Sequence, residues 1–383
     1  MSYKFVRKAI VAVTCAVAVC CPAHAEESGK LVVKIGFVGA LGTLRQGNLS
    51  FGARDGAQLA VDEANQRNIR IGGRAVEFEL LVMDDQSDVN FARLAAHALV
   101  AAGVVGVIGH NTTDTSMAAA PIYHAAGLPL ISPMSTGRQL TQAGYRNVFQ
   151  LLGHSDITAI YLAQLSLQTI KAKRIAIVDN GLALGIGLRN AYLRQLKQDG
   201  GKVLFSESIS SKTSDFNAVL SCVQREKADL LFFTGTGAQA VALSQNVQRL
   251  GVATPLLITG GAVNVEFPRV GPYPEGAYLL LHGLPVETRP GYAQFEKNYR
   301  KKSSSPLTAY AMFSYDAVGM LIEALGSKDS LYPQMAVETL HNMQYKGVSG
   351  LVSFRADGSQ NDPPYSFYKA VERNWVLIKT YGG

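Results

Sequence analysis

Cysteine and long apolar runs are both scarce in this 383-residue chain, and each scarcity excludes something. Of the four cysteines, Cys15, Cys20 and Cys21 fall in residues 1–25. That segment reads as a secretory signal peptide. Lys4, Arg7 and Lys8 precede an apolar stretch, and Ala23-His24-Ala25 forms a small-x-small cleavage site. With cleavage after Ala25 only Cys222 remains, and one thiol excludes an intramolecular disulfide. A lipid anchor through Cys20 or Cys21 is the alternative that the well-formed cleavage site disfavours. The apolar stretch is too short to span a bilayer, and no later run of about 18 uncharged apolar residues occurs, so the mature chain is expected to be soluble.

A strong charge imbalance is missing too. Residues 1–25 carry three of the 36 basic and none of the 29 acidic side chains, so the formal charge of +7 falls to +4 in the mature chain. That balance does not mark a nucleic-acid partner. The densest basic run, Lys297 to Lys302, ends a polar helical pattern and reads as a solvated helix face.

The signatures of catalysis are likewise absent. Gly185-Ile186-Gly187 follows a strand, but Asn190 stands where a dinucleotide loop needs a third glycine, and no GxxxxGKS/T occurs. His97, His110, His124, His154, His282 and His341 are scattered without metal-ligand spacing, so neither a metal nor a cofactor is expected. His110, at a strand end, reads as a hydrogen-bonded structural histidine. No GxSxG elbow is present, and Cys222 sits in an amphipathic helix where a buried, inert thiol is expected. Asp84 and Asp85 are adjacent in a strand and point to opposite faces, so they form no dyad. The chain does not read as an enzyme.

What the chain does have is alternation. Strand-length apolar runs (Leu31 to Ala40, Val76 to Met83, Val104 to Gly109, Leu128 to Ser132) alternate with helical patterns at Asp55 to Gln66, Val89 to Ala102 and Thr115 to Ala126. A second series starts with helix Asp156 to Thr169 and strand Arg174 to Asp179. It continues through helix Gly187 to Gln198, strand Val203 to Ser208, helix Asp215 to Glu226 and strand Asp229 to Thr234. Helix Ala238 to Leu250, strand Pro255 to Thr259 and an extended Gly276 to His282 close that series. Helices at Tyr292 to Lys302, Ala309 to Leu325 and Gln334 to Asn342, then short strands in the tail, complete the chain. Continuous apolar strands predict parallel sheets with helices on both faces. The pattern predicts crossings between two lobes near Phe149, Leu281 and Phe354.

One stretch, Val104 to Thr141, gathers the candidate binding residues. Thr112 and Thr113 follow one strand, and Ser135 and Thr136 follow the next. In open α/β sheets ligands bind at that edge. Hydroxyls beside unpaired N–H groups at a helix start suit a carboxylate. Asp114 would repel an anion if it pointed inward and is expected to face solvent.

Several segments, read in order, resemble the periplasmic binding proteins for branched-chain amino acids, the type I substrate-binding components of ABC transporters. They are KIGFVGALG, DGAQLAVDEAN, GGRAVEFELLVMDDQSD, VVGVIGH, ISPMSTGRQLT, KRIAIVDN, DLLFFTG and YKGVSGLVSF. The resemblance implies two doubly wound parallel-sheet lobes joined by a three-strand hinge, with a ligand held between them. It implies a first lobe of residues 26–148 plus 282–353 and a second of residues 149–281 plus 354–383. It further implies a periplasmic monomer that closes on a small carboxylate-bearing ligand and docks on an inner-membrane permease. The same fold serving as the sensor partner of a membrane signalling system is the alternative, and an exported hydrolase is a weaker one.

Carried onto this sequence, the family's carboxylate site falls on Thr113, Ser135 and Thr136, with Thr112 and Met134 beside them. Phe51, Tyr310 and Thr236 are expected around the side-chain pocket. Two positions depart from the family. The usual Tyr-Gly pair is here Leu184-Gly185, and the acidic residue that pairs with a ligand ammonium falls on Gly260. A buried ammonium without a carboxylate costs several kcal/mol. Unless Asp179, Glu266 or Asp316 substitutes, the site is expected to favour an aliphatic or aromatic acid, a keto acid or an amide over leucine.

Overall fold

The computed structural model describes residues 29–42, 47–210, 212–259 and 273–383. The signal segment, Gly260 and Glu266 lie outside the described residues. In chain order the first elements are β1 (Leu31–Gly39), α1 (Gly47–Gln66), β2 (Arg70–Ile71), β3 (Arg74–Asp84) and α2 (Val89–Ala101). There follow β4 (Val107–Ile108), α3 (Thr113–Ala125), β5 (Leu130–Ser132), α4 (Gln139–Gln142) and β6 (Val148–Gln150). The second series is α5 (Ser155–Gln164), β7 (Arg174–Asp179), α6 (Ala183–Gln198), β8 (Lys202–Ser208), α7 (Asn217–Arg225), β9 (Leu230–Thr234), α8 (Gly237–Arg249), β10 (Leu256–Thr259) and β11 (Tyr278–His282). The chain ends with α9 (Tyr292–Lys302), α10 (Ala309–Ser327), α11 (Pro333–Asn342), β12 (Tyr345–Gly347), β13 (Gly350–Val352), β14 (Tyr365–Val371) and β15 (Asn374–Tyr381).

Two sheets organise these elements. The first has the order β2-β3-β1-β4-β5-β6 and the second β15-β14-β11-β10-β9-β7-β8. Their centres are parallel, as continuous apolar runs such as Arg174–Asp179 predict, because helices cover both faces. Their edges are not. β2 runs antiparallel to β3, and β14 and β15 run antiparallel to β11 and to each other. The tail is therefore a hairpin added to a parallel sheet, a departure from the purely parallel expectation. Its turn lies at Glu372 and Arg373, both at positive φ.

Other boundaries shift for local reasons. α1 begins at Gly47 rather than Asp55, and α6 begins at Ala183, so Leu184-Gly185 is helical rather than a loop. The helix from Ser155 gives way to a π turn at Leu165–Thr169. β4 is only Val107–Ile108. Cys222 is half-buried and accepts a hydrogen bond from Arg225 at 3.2 Å, so it is not the buried thiol the helix pattern predicts.

α10 is the helix that closes the first lobe. Met320, Leu321, Ile322 and Leu325 are buried against β1, β3 and α1. Burying each such side chain contributes about 1.5–3 kcal/mol. Helix α1 approaches so closely that a Cβ on Gly56 would overlap the Ala311 carbonyl oxygen.

The chain passes between the lobes three times. It leaves the first sheet after Gln150 and enters α5, and it leaves the second sheet after His282. Phe354 still belongs to the first lobe's core, so the third passage is at 361–364 rather than at Phe354. The passages are cross-bonded. Gln150 N–H donates to the Gly358 carbonyl at 2.9 Å, and Gly283 N–H to that of Pro364 at 2.7 Å. Leu152, His282, Gly283, Gln360 and Pro364 share one small cavity where the three meet.

Candidate functional site

In each sheet the strand order reverses direction at one point, and ligands of open α/β sheets sit outside the carboxyl ends of the strands there. In the first lobe that point lies between β1 and β4, and in the second between β7 and β9. The residues after β4 and β5 lie at the first of these points, and the start of α6 and the turn after β9 at the second.

On the first-lobe side the loops after β4 and β5 are bonded to each other. Thr113 is the first residue of α3, and its Oγ1 accepts from Gly137 N–H at 3.0 Å. Ser135 and Ser116 share a hydrogen bond between hydroxyls at 2.8 Å, and both are buried. A side chain on Gly137 would collide with Thr113, so glycine is what allows the two loops to meet. Thr136 is half-buried, and its hydroxyl makes no hydrogen bond among the described residues, nor do the N–H groups of Thr113, Asp114 and Thr136. Three unpaired donors, one hydroxyl and a helix N-terminus form a neutral anion cradle. Asp114, in the first turn of α3, is exposed.

Thr112 does something different from its neighbours. It is the N-cap of α3 in a capping box with Thr115, so its hydroxyl is committed to Thr115 N–H at 3.2 Å. The second lobe repeats the device: Thr236 caps α8 in a box with Gln239 and is exposed. Met134 is half-buried and packs with Tyr310 against the core that contains Leu151, Leu152 and Phe313. Tyr310 opens α10, and burial pushes its phenol up to about 12, so it is present as a neutral hydroxyl. Phe51 lies in α1 beneath the Arg54 guanidinium, 5.0 Å from the ring centre.

Across the cleft, Leu184 is 55% exposed and Leu182, just before α6, is 46% exposed. Gly185 packs where a Cβ would overlap the Asn180 side chain. Gly260 lies outside the described residues, as does Glu266. The other two candidate ammonium partners are already engaged. Asp179 is fully buried, ion-paired with Arg189 at 2.5 Å and bonded to Ser208 Oγ at 2.8 Å. Asp316 is fully buried in α10 and accepts from Val348 N–H at 2.9 Å and Ser349 N–H at 2.7 Å.

His110 stands behind the cradle. Its Nδ1 meets Asp85 Oδ2 at 2.8 Å and its Nε2 meets the Tyr123 hydroxyl at 3.2 Å, all three groups being buried. It is a structural histidine that braces the end of β4. Three residues with contacts at the cradle carry no local sequence signal: Ser116, which reads as helix interior, and Gln150 and Ser155, whose contacts are long-range. Gln150 Nε2 donates to the carbonyls of Ser135 at 2.8 Å and Gly137 at 3.3 Å. Ser155 N–H and Oγ both reach the Thr136 carbonyl, at 2.9 and 3.1 Å. Burial lowers the His154 imidazole pKa, with Asp156 opposing that effect and Arg138 adding to it. Among the described residues no cluster of three or more His, Cys, Asp or Glu side chains could hold a metal ion, and no helix is long and apolar enough to cross a membrane.

Leu/Ile/Val-binding protein homolog 1 of Brucella melitensis is 27% identical over 326 residues, covering 84% of this chain and 86% of that protein. An ABC transporter substrate-binding protein of Desulfitobacterium hafniense, solved in complex with Leu, is 25% identical with a TM-score of 0.74, covering 91% of this chain and 100% of that one. A solute-binding protein of an R. palustris ABC transporter, solved in complex with benzoate, shares the fold at a TM-score of 0.77 and 17% identity, covering 93% of this chain and 98% of that one. The sequence profile of the family described as periplasmic binding protein matches residues 32–374, and the chain therefore belongs to that family, with the type I fold.

Proposed function

We propose that the protein is an exported solute-binding component of an ABC importer, a periplasmic monomer that captures a small carboxylate-bearing ligand and delivers it to a membrane permease. Binding and release, without turnover, are its work. The observation that carries this reading is the junction of the loops after β4 and β5, where Thr113, Ser135 and Thr136 converge on unpaired N–H groups. Each hydrogen bond to a charged group contributes about 1.5–3 kcal/mol, so a few of them orient a small acid. A ligand that touches both lobes favours the closed form by its extra affinity for that form.

The finer reading concerns the far wall. Asp179 and Asp316 are each bonded within the protein, and Leu182 and Leu184 present apolar surface at the start of α6. An ammonium group facing that wall would give up its hydration with no free carboxylate in return among the described residues. The favoured ligand is an aliphatic or aromatic acid, a keto acid or an amide. Of the similar proteins, the one solved with benzoate holds an acid of this class, whereas the one solved with leucine holds the kind of zwitterion that this wall disfavours.

Native mass spectrometry of protein purified from its source, followed by calorimetric titration with L-leucine and benzoate, is the test. An acid without an amino group is expected to co-purify. Micromolar or tighter binding of leucine refutes the apolar-wall reading. Steady consumption of added esters or amides refutes the assignment as a binding protein.

A further inference from the structure

In the loop Ser135-Thr136-Gly137 the N–H groups of Ser135 and Gly137 are bonded to Ser132 Oγ and Thr113 Oγ1, and that of Thr136 is unpaired among the described residues. All three carbonyls are held from behind by the two residues that flank the first passage between the lobes. Gln150 Nε2 takes those of Ser135 and Gly137, and Ser155 takes that of Thr136. In a trans peptide unit the C=O and the following N–H point in opposite directions. Pinning the Ser135 carbonyl therefore turns Thr136 N–H toward the cleft, and pinning that of Gly137 turns Arg138 N–H the same way. The Thr136 peptide shows the direction, since Gly137 N–H on its far side reaches Thr113 Oγ1 at 3.0 Å.

Gln150 is fully buried, and its orientation is forced. With the amide reversed, an oxygen would face two carbonyl oxygens. In the observed orientation Oε1 is buried without a hydrogen-bond partner among the described residues. A buried orphan acceptor is a cost that packing alone does not explain. The same residue is tied by its backbone to the segment just before the third passage, through Gly358 and a bridge to Ser359.

Resting on the reading of the 135–137 loop as the anion cradle, we propose that Gln150 is a positioning residue: it aims the cradle's N–H groups at the ligand's acid and ties their direction to the hinge. It does not touch the ligand. Ser155, one helix start further on, supports the middle carbonyl.

Two variants test this without a ligand. Gln150→Met keeps the volume and removes the donor, and Gln150→Glu replaces the donor by a group that donates only when protonated. Hydrogen exchange is followed on peptides spanning 133–138 and, as an internal standard, on β7, with rates corrected for the intrinsic effect of pH. Gln150→Met is expected to lower protection of the 133–138 peptide at least tenfold while β7 keeps its protection. Gln150→Glu is expected to do the same at pH 8 and to recover as the buried carboxyl, with its pKa raised by desolvation, takes up a proton. Unchanged protection of the loop overturns the proposal. So does a fall shared equally with β7, or the absence of recovery at lower pH. A wild-type protein that binds neither benzoate nor leucine, with the exchange results as expected, removes the ligand reading and leaves the positioning role standing.

Discussion

Thr113 Oγ1 accepts the N–H of Gly137 at 3.0 Å, and this one bond joins the loop after β4 to the loop after β5. Thr113→Val keeps the shape and removes the acceptor. It is expected to cost about 1 kcal/mol of stability and to weaken acid binding by roughly tenfold or more. Thr136→Ala removes a hydroxyl that holds nothing in the free protein, so binding falls and the melting temperature does not. Thr112→Ala loses the cap of α3, about 1 kcal/mol of stability, with affinity unchanged. Titration of the co-purified acid beside thermal melts of the free protein separates the three outcomes.

Gly137 can be tested in the opposite sense. A methyl group there meets Thr113 Cγ2 and Oγ1 and the Gln139 side chain. Gly137→Ala is expected to part the two loops and abolish acid binding while leaving the fold intact by circular dichroism. Wild-type affinity in this variant would show that the loops need not touch.

His110 sits between two buried partners, and its removal strands one of them. His110→Leu leaves the Asp85 carboxylate buried without its imidazole, which costs about 3–5 kcal/mol. The urea midpoint should fall accordingly. A change under 1 kcal/mol would mean that Ser87 N–H, which donates to Asp85 at 3.0 Å, suffices alone.

Buried Asp316 in the first lobe and half-buried His282 at the hinge titrate in opposing directions. Burial pushes the His282 imidazole down to about 4 from an ordinary value of 6.5. Between those values the unfolded chain holds a proton that the folded chain does not, so stability is lost as pH falls through the window. Burial pushes the Asp316 carboxyl up to about 6, against hydrogen bonds from Ser349 and Val348. Between 3.8 and about 6 the folded chain holds the extra proton, so this contribution is lost as pH rises. From pH 4.5 to 6 the Asp316 contribution opposes that of His282, to which the lowered His154 adds with the same sign. Asp316→Asn should expose the acid lability from His282, and His282→Gln should reverse the slope. Urea midpoints at the two pH values decide it, each unopposed proton being worth about 1.4 kcal/mol per pH unit.

Much of this architecture is legible in the residues. Arg174–Asp179 and Tyr292–Lys302 have the boundaries that their apolar patterns predict, because a covered strand and an amphipathic helix each carry their period locally. The start of α6 is not legible. Its N-cap is Leu182, which makes no side-chain cap bond, so nothing in the sequence announces a helix at Ala183. The antiparallel tail escapes for another reason: strand direction depends on which neighbour the strand meets, and β14 meets β11 from across the chain. In the candidate site, Thr113, Ser135 and Thr136 stand out as hydroxyls at strand ends. Gln150 does not, since a glutamine after an apolar strand reads as surface until Ser135 and Gly137 are placed beside it.

The packing of α1 against α10 also bears on when each lobe can form. The hydroxyl of Tyr315 donates to Glu63 at 2.6 Å across 252 residues of chain, and the small residues Ala53, Ala57, Ala60 and Ala64 await the same late helix. Contacts this distant in sequence are slow to form. From β7 to β11 the second lobe's core is contiguous, needing only the terminal hairpin to finish its sheet. A chain emerging amino end first is therefore expected to assemble the second lobe's parallel core before the first lobe can close, although the first lobe's strands appear earlier.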